Sequence, residues 1–385
     1  MSEILLPRGY KKEDTQKRKE WLEKKTGFHL NDSGPDNPEE FRGIIENHVG
    51  YMYLPLAAAG PLLINGSYAN GEFYIPLCTL EGTLTMSMTR GLFLTRLSGG
   101  IKTCHIKQEL SRSPIFIFKD IDHGKPFIAW INEHYEKIKS EAESTTRHGR
   151  LLRIDKYPSQ NSVILDFVYD TAEASGQNMV TIATHKACRY INDNFRCDSG
   201  FRYYIESNFN GDKNPAYKSL LLGRSHYVVG SALIEGRFLR RILKVSARDY
   251  VDGWLQCTRG SQEAGIFGMN MHVANALTAI YLATGQDAAS VVENSGGIIS
   301  YEVRNSSDLY ATITMPSITV GTVGGGTRLK QARKNLEFLG CTGKDSSKKF
   351  AEIVCACALA LELSLGGAIA SDEFAFSHAR YGRNE

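Results

Sequence analysis

The sequence predicts an α+β protein in which a small domain is inserted into a larger one. Three observations carry that expectation. Strand-type and helix-type hydrophobic periods succeed one another unevenly along the 385 residues, without the regular alternation of a doubly wound parallel sheet. Residues 114–207 hold a compact strand–helix–strand–helix–strand run, the size of an independent unit. A single long apolar helical pattern closes the chain at residues 348–369.

Taken in order, residues 9–26 are dense in Lys and Glu, the pattern of an exposed helix. Pro35 and Pro38 interrupt it, and residues 39–48 read as a second helix. Strand-like runs follow at 51–56 and 71–77, with turn signals at Gly60-Pro61 and Asn65-Gly66. Residues 81–97 have helical periodicity and close on Gly99-Gly100. Inside the inserted unit, 114–118, 162–169 and 200–207 are strand-like, and 124–142 and 176–192 helical. Beyond it come a strand at 227–234, a helix at 236–250 and a helix at 272–284 stopped by Gly285. A strand at 309–315 meets Pro316, and the loop GTVGGGT follows at 321–327. The expected domains are an N-terminal helical segment 1–45, a large domain 46–112 plus 206–370, a small domain 113–205 and a C-terminal flap 371–385.

Composition narrows the function class. Hydrophobic residues are 42% and charged residues 23%, enough apolar content for a core without staples. A net charge of +3 gives no electrostatic case for a nucleic-acid partner. Eight cysteines are scattered without a CxxC pair, which fits reduced thiols in a cytoplasmic protein rather than disulfides or a metal site. The N-terminal apolar run is too short for a signal peptide. The most apolar stretch, 353–370, carries Glu362 at its middle and reads as a core helix rather than a membrane span.

No GxGxxG, Walker A, HExxH or GxSxG motif is present. The GTVGGGT loop either cradles a phosphate through backbone N–H groups or is a tight turn. Glu81, Asp287 and Lys213 sit among small or apolar residues, where a charge is costly unless paired. Asp287 could equally cap the next helix, and His378 could be a surface histidine. Composition and spacing alone give an enzyme-like protein and no reaction.

The ordered motifs together resemble the 3-hydroxy-3-methylglutaryl-CoA (HMG-CoA) reductase family, from about residue 40 onward. ENHVG at 46–50 with PLAAAGP at 55–61 is similar to its dimerisation and CoA-binding entry segment. Glu81-Gly82 with Thr89-Arg90-Gly91, Asp212-Lys213, GMNMHVAN at 268–275 and GQDAA at 285–289 resemble its catalytic motifs. Thr314-Met315-Pro316-Ser317, GTVGGGT, Glu362-Leu363-Ser364-Leu365 and Ser377-His378 complete the likeness.

The resemblance implies a large CoA-binding domain with a long central helix and an inserted ferredoxin-like βαβαβ cofactor domain. It implies NADPH-dependent reduction of an acyl thioester to an alcohol, HMG-CoA to mevalonate by default, with a catalytic set Glu81, Lys213, Asp287 and His378. Lys213 would stabilise an oxyanion, Asp287 would keep it charged and oriented, His378 would protonate the departing thiolate, and a partly buried Glu81 would supply a proton. Cofactor contacts carry over to Glu173, Gly176, Gln177, Asn178 and Met179, with Arg147 and Arg383 facing the 2′-phosphate that separates NADPH from NADH. Substrate contacts carry over to Ser87, Arg90, Arg112, Asn208, Asp212, Lys244 and Asn275. No metal and no membrane partner is implied; at least a homodimer is, because the family's active site lies between subunits.

The departures cluster where the family holds its substrate's free carboxylate. Glu206 stands at a serine position and Asn214 at a lysine position; Gln256 aligns with a further lysine, which Arg259 could replace. Either Glu206 pairs with Arg112 and points away, or Arg259 compensates, or the acyl group is altered, as a related acyl-CoA or a carrier-bound acyl group. Val291 and Glu293 also replace the polar and small residues usual after the aspartate. A homologue that binds CoA or nucleotide without turnover is the alternative function.

Overall fold

The computed structural model describes residues 6–30 and 37–375. In chain order the elements are α1 (Lys12–Thr26), β1 (Leu56–Gly66), β2 (Asn70–Cys78), α2 (Leu84–Leu97), β3 (Ile101–Arg112), β4 (Ile115–Phe118), α3 (Gly124–Glu133), α4 (Tyr135–Glu143), β5 (Arg150–Ser159), β6 (Ser162–Asp170), α5 (Gln177–Asn194) and β7 (Phe201–Tyr204). They continue with α6 (Tyr217–Leu222), β8 (Arg224–Ile234), α7 (Gly236–Leu243), α8 (Ala247–Ala264), α9 (Val273–Thr284), α10 (Val291–Asn294), β9 (Ile298–Arg304), β10 (Asp308–Ile318), α11 (Lys330–Phe338) and α12 (Ser346–Ala370).

The strands form one connected sheet in the order β7-β4-β6-β3-β8-β10-β9, with β5 paired to β6, and β1 to β2 and β3. β3 joins its two halves. Residues Lys102–Glu109 pair with β8, whereas Leu110–Arg112 pair with β6. Two separate cores sit on these halves. In the small unit, Phe116, Phe127, Ile131, Leu165, Phe167 and Ile191 pack together. In the large unit the core surrounds α12, whose residues from Phe350 to Leu363 are buried on every side.

An apolar helix long enough to cross a membrane is therefore the axis of the core, 78% buried over its most apolar window. Two buried carboxylates show how it is fixed. Glu352 accepts backbone N–H bonds from Ser67, Tyr68, Ala69 and His105, and Glu362 from Met271 and His272. Each buried charge is thus hydrogen-bonded, as burial demands. Helix α2 crosses so closely that a Cβ on Gly91 would stand 1.8 Å from the Ala360 carbonyl oxygen.

The small unit carries a strand beyond the βαβαβ expectation. Its order β7-β4-β6-β5, all antiparallel, is that of a split β-α-β-β-α-β unit. β5 was not legible because its sequence RLLRIDKYPS is charged and its pairing slips between Leu151 and Arg153. The expected helix at 124–142 is broken at His134. That at 236–250 breaks at Lys244, which takes φ +55°. The expected helix at 39–48 is only a 3-10 turn over Pro38–Phe41. The strand expected at 51–56 begins at Leu56 and runs through Gly60-Pro61, with a register shift there.

Candidate active site

Two clefts lie at opposite ends of α9. The first, about 590 Å³, is walled by the turn into α5 and by the glycine loop. Gly176, Gln177, Asn178 and Met179 line it, together with Asp287, Gly321 and Gly324–Gly326. Gly176 adopts φ +84°, and a Cβ there would meet Thr171 at 2.3 Å. A Cβ on Gly321 would stand 2.3 Å from the Ser175 amide nitrogen. The wall is thus bare backbone at a helix N-terminus, a surface that binds phosphate. Gln286 pins the loop reciprocally: its Nε2 donates to the Gly321 carbonyl at 3.0 Å and its Oε1 accepts the Gly321 N–H at 2.9 Å. Exposed Arg147 lies in a turn held against Met179 by the Thr146 hydroxyl. Glu173 does not line this cleft. Its carboxylate caps α12, accepting from Asp345 N, Ser346 Oγ and Ser347 N.

At the mouth of this cleft, Lys213 Nζ lies 2.9 Å from Asp287 Oδ2, both about half-exposed. The hydrogen bond from the ammonium to Asp287 raises the lysine above its ordinary pKa, outweighing the desolvation that lowers it. Lys213 has φ +57°, and its backbone N–H donates to Glu293 Oε2 at 2.7 Å. Glu293 is fully buried; it also accepts from Arg224 Nε at 2.9 Å and from Thr319 Oγ1 at 2.6 Å. Buried Arg224 reaches Gln177 Oε1 at 2.9 Å and Asp212 Oδ1 at 3.1 Å. One guanidinium therefore ties the lysine loop to the first residue of α5.

The loop before Lys213 is organised by Glu206. Its carboxylate accepts from Arg112 Nη1, from Asn210 Nδ2 at 2.9 and 2.7 Å, and from the Asn208 N–H at 2.6 Å. Arg112 Nη2 lies 3.3 Å from Asp212 Oδ2. Asn214 donates to Asn208 Oδ1 and to the Asp212 carbonyl, so it braces the loop from within.

The second cleft, about 700 Å³, is lined by Glu81, Ser87, Arg90, Lys244, His272 and Asn275 among others. Arg90 Nε and Ser87 Oγ both donate to Ser364 Oγ, at 2.9 Å each. Glu373 faces both cleft cations: its carboxylate bonds Lys244 and lies 3.6 Å from Arg90 Nη1. Burial pulls the Arg90 pKa down, and Glu373 opposes that. Asn275 Nδ2 donates to Glu81 Oε1 at 3.4 Å. Glu81 precedes α2 rather than starting it and is exposed, so its own chain does not supply the expected burial.

The structure thus brings Lys213, Asp287, Asp212, Arg112 and Glu206 together with the α5 turn, and Glu81 together with Ser87, Arg90, Lys244 and Asn275. It does not unite the two groups. Asn275 is in the first turn of α9 and Asp287 follows its end, and the helical rise from Asn275 to Thr284 alone is roughly 14 Å. His378 and Arg383 lie outside the described residues. Sequence reasoning missed Arg224 and Glu373, carried Gln286 and Ser364 only as members of motifs without a role, and singled out Glu293 only as a departure. For Arg224 a signal existed: an arginine opening a strand buried among SHYVV must find partners.

Comparison with known proteins places the chain. Residues 14–383 match the family model for hydroxymethylglutaryl-coenzyme A reductase. The 3-hydroxy-3-methylglutaryl-coenzyme A reductase of Methanocaldococcus jannaschii is 39% identical over 383 residues, covering 96% of this chain and 93% of that one. The protein of the same name from Aeropyrum pernix is 40% identical, covering 95% and 89%. The class II enzyme of Streptococcus pneumoniae, solved bound to NADPH, superposes with a TM-score of 0.69 at 17% identity, over 86% of this chain and 79% of that one. The chain belongs to the hydroxymethylglutaryl-CoA reductase family of oxidoreductases.

Proposed function

We propose that the chain catalyses NADPH-dependent, four-electron reduction of an acyl-CoA thioester to a primary alcohol and free CoA. Its relatives' name makes HMG-CoA, and mevalonate as product, the reference pair. The observation that carries this reading is the Lys213–Asp287 ion pair at the mouth of a glycine-walled cleft.

The residues present fit the cofactor. The α5 N-terminus and the bare backbone of Gly321 and Gly324–Gly326 suit its phosphates, and Arg147 beside Met179 suits a 2′-phosphate. When bound, each NADPH would supply one hydride, so two NADPH molecules would serve one turnover in succession. Lys213, kept protonated and aimed by Asp287, stabilises the negative charge on the thioester oxygen and then on the aldehyde oxygen. Glu293 and Arg224 hold the lysine's backbone and the helix under the cofactor in one frame. Ser87, Arg90 and Lys244 bind CoA phosphates, for which Glu373 has to release two cations. Glu81, positioned by Asn275, delivers a proton to the alkoxide, and His378 protonates the thiolate.

Lys213 and Glu81 act on the same carbonyl, yet in one chain Lys213 is paired with Asp287 beyond the C-terminal end of α9 while Glu81 is held by Asn275 in its first turn. The site is therefore completed by a second copy, the Glu81 cleft of one chain meeting the Lys213 cleft of another, in a homodimer or a larger homo-oligomer.

The test is anaerobic turnover with HMG-CoA, following NADPH absorbance and free thiol together. Two NADPH oxidised for each CoA released is the expected result. NADPH binding with no oxidation against any acyl-CoA would instead identify a silent binding homologue.

A further inference from the structure

We propose that Glu206 is a resident carboxylate that fills the anion site beside the catalytic lysine, so that the enzyme's acyl group ends in an uncharged tail. This rests on the acyl-thioester reductase reading above and specifies the acyl class. Arg112, at the end of β3, reaches the lysine loop, and its side chain is 9% exposed. Both of its terminal nitrogens are committed, one to Glu206 and the other to Asp212, the residue directly before Lys213.

The neighbouring cations are committed as well. Lys213 faces Asp287, Arg224 faces Glu293 and Asp212, and Lys218 faces Asp166 at 2.6 Å. Around this corner of the cleft four cations meet five carboxylates. A carboxylate on the acyl tail would enter as a sixth anion, with no unpaired cation among these residues and with Glu206 already holding the guanidinium it needs. Like-charge juxtaposition in a partly desolvated cleft disfavours it. An uncharged tail meets no such opposition.

Glu206 does not swing aside freely. Asn210 Nδ2 reaches both of its oxygens and the Asn208 N–H holds one, so releasing Arg112 to a ligand would also unlace the loop that presents Lys213. Asn214 adds no charge, since its amide is spent on Asn208 and on the Asp212 carbonyl.

The experiment compares two thioesters on the full-length protein, HMG-CoA and 3-hydroxy-3-methylbutyryl-CoA, which differ in the terminal carboxylate. The parent should show kcat/KM at least tenfold higher for the uncharged substrate, the scale of one charge-assisted contact. Glu206→Gln keeps the Oε1 contacts to Asn208 and Asn210 while removing the charge and the acceptor that holds Arg112; Glu206→Ser with Asn214→Lys frees Arg112 and adds a cation. Both should shift the kcat/KM ratio toward HMG-CoA, the double change by tenfold or more, and the shift at Glu206→Gln, which keeps the Oε1 contacts, should come through KM. Free 3-hydroxy-3-methylglutarate should inhibit Glu206→Gln at concentrations that leave the parent untouched. A parent that favours HMG-CoA tenfold, with a ratio unmoved by Glu206→Gln, overturns the assignment while leaving the reductase reading intact. A parent that reduces neither thioester, nor any other, overturns the reductase reading itself.

Discussion

The two clefts treat their cations differently. At the Lys213 corner beside the cofactor-side cleft, the cations are paired to carboxylates, as with Lys213–Asp287, Arg224–Glu293 and Arg112–Glu206. In the Glu81 cleft, Arg90 and Lys244 share Glu373, which lies just past the last turn of α12. On the proposed mechanism the first arrangement is preorganised: the ammonium is held in place before charge develops on the substrate. On the same proposal the second is exchangeable, because a ligand phosphate would replace the Glu373 carboxylate that occupies its cations. As proposed, the reacting charge is paired at a half-exposed cleft mouth and backed by buried Glu293 and Arg224, whereas the ligand-binding cations share a carboxylate beyond the last long helix.

The largest effect that sharpens this contrast is at Lys213. Lys213→Ala should lower kcat by 10²-fold or more with little change in KM, the size of one lost oxyanion contact. Asp287→Asn should cut kcat less and also move the alkaline limit of activity downward. Asp287 is the leading cause that raises the lysine's pKa, so without it the ammonium loses its proton at lower pH. A pH–rate profile of Asp287→Asn that superposes on the parent's would break the account of a preorganised pair.

On the exchangeable side, Glu373→Gln should lower KM for the acyl-CoA severalfold and leave kcat nearly unchanged, since the cations no longer have to be vacated. At the cofactor, Arg147→Ala should reduce the preference for NADPH over NADH about tenfold, one charge-assisted contact's worth. Equal use of both cofactors by the parent would remove that role.

A smaller effect concerns stability. His105 Nε2 lies 2.9 Å from His226 Nδ1 beneath the sheet. Burial pushes His226 down to about 3 and His105 down to about 4. The unfolded chain, with ordinary histidines, binds more protons than the folded one between roughly pH 3 and 6.5, so stability falls as the pH is lowered through that window. His105→Gln removes one of the two groups, and the slope of urea midpoint against pH should flatten. An unchanged slope would place the acid sensitivity elsewhere.

Much of the frame was legible. The α12 helix, the 272–284 helix and its Gly285 stop, and the small inserted unit follow from periodicity and glycine punctuation, because long periodic segments report their own burial. The boundaries at Lys244, His134 and Leu56 were not. They depend on left-handed or bent backbone that tertiary contacts impose on residues with no such preference. At the site, residue type marked Lys213 and Asp287, but the sequence could not tell whether Glu206 paired with Arg112. That pairing joins the end of β3 to a loop 94 residues later, a contact no local pattern encodes. Glu173 was misplaced for a related reason: its neighbours line the cofactor cleft, and its own side chain turns the other way to cap α12.

The central claim is that one chain carries two half-sites. It is tested most directly by mixing two inactive chains, Glu81→Gln and Lys213→Met, co-expressed under different tags. If Glu81 of one chain serves Lys213 of another, each mixed dimer keeps one intact site of two. A random mixture then regains about a quarter of parent activity, since half of its dimers are mixed. If Glu81 and Lys213 of the same chain work together, no assembly contains an intact site and the mixture stays as inactive as either variant alone, which would contradict the account.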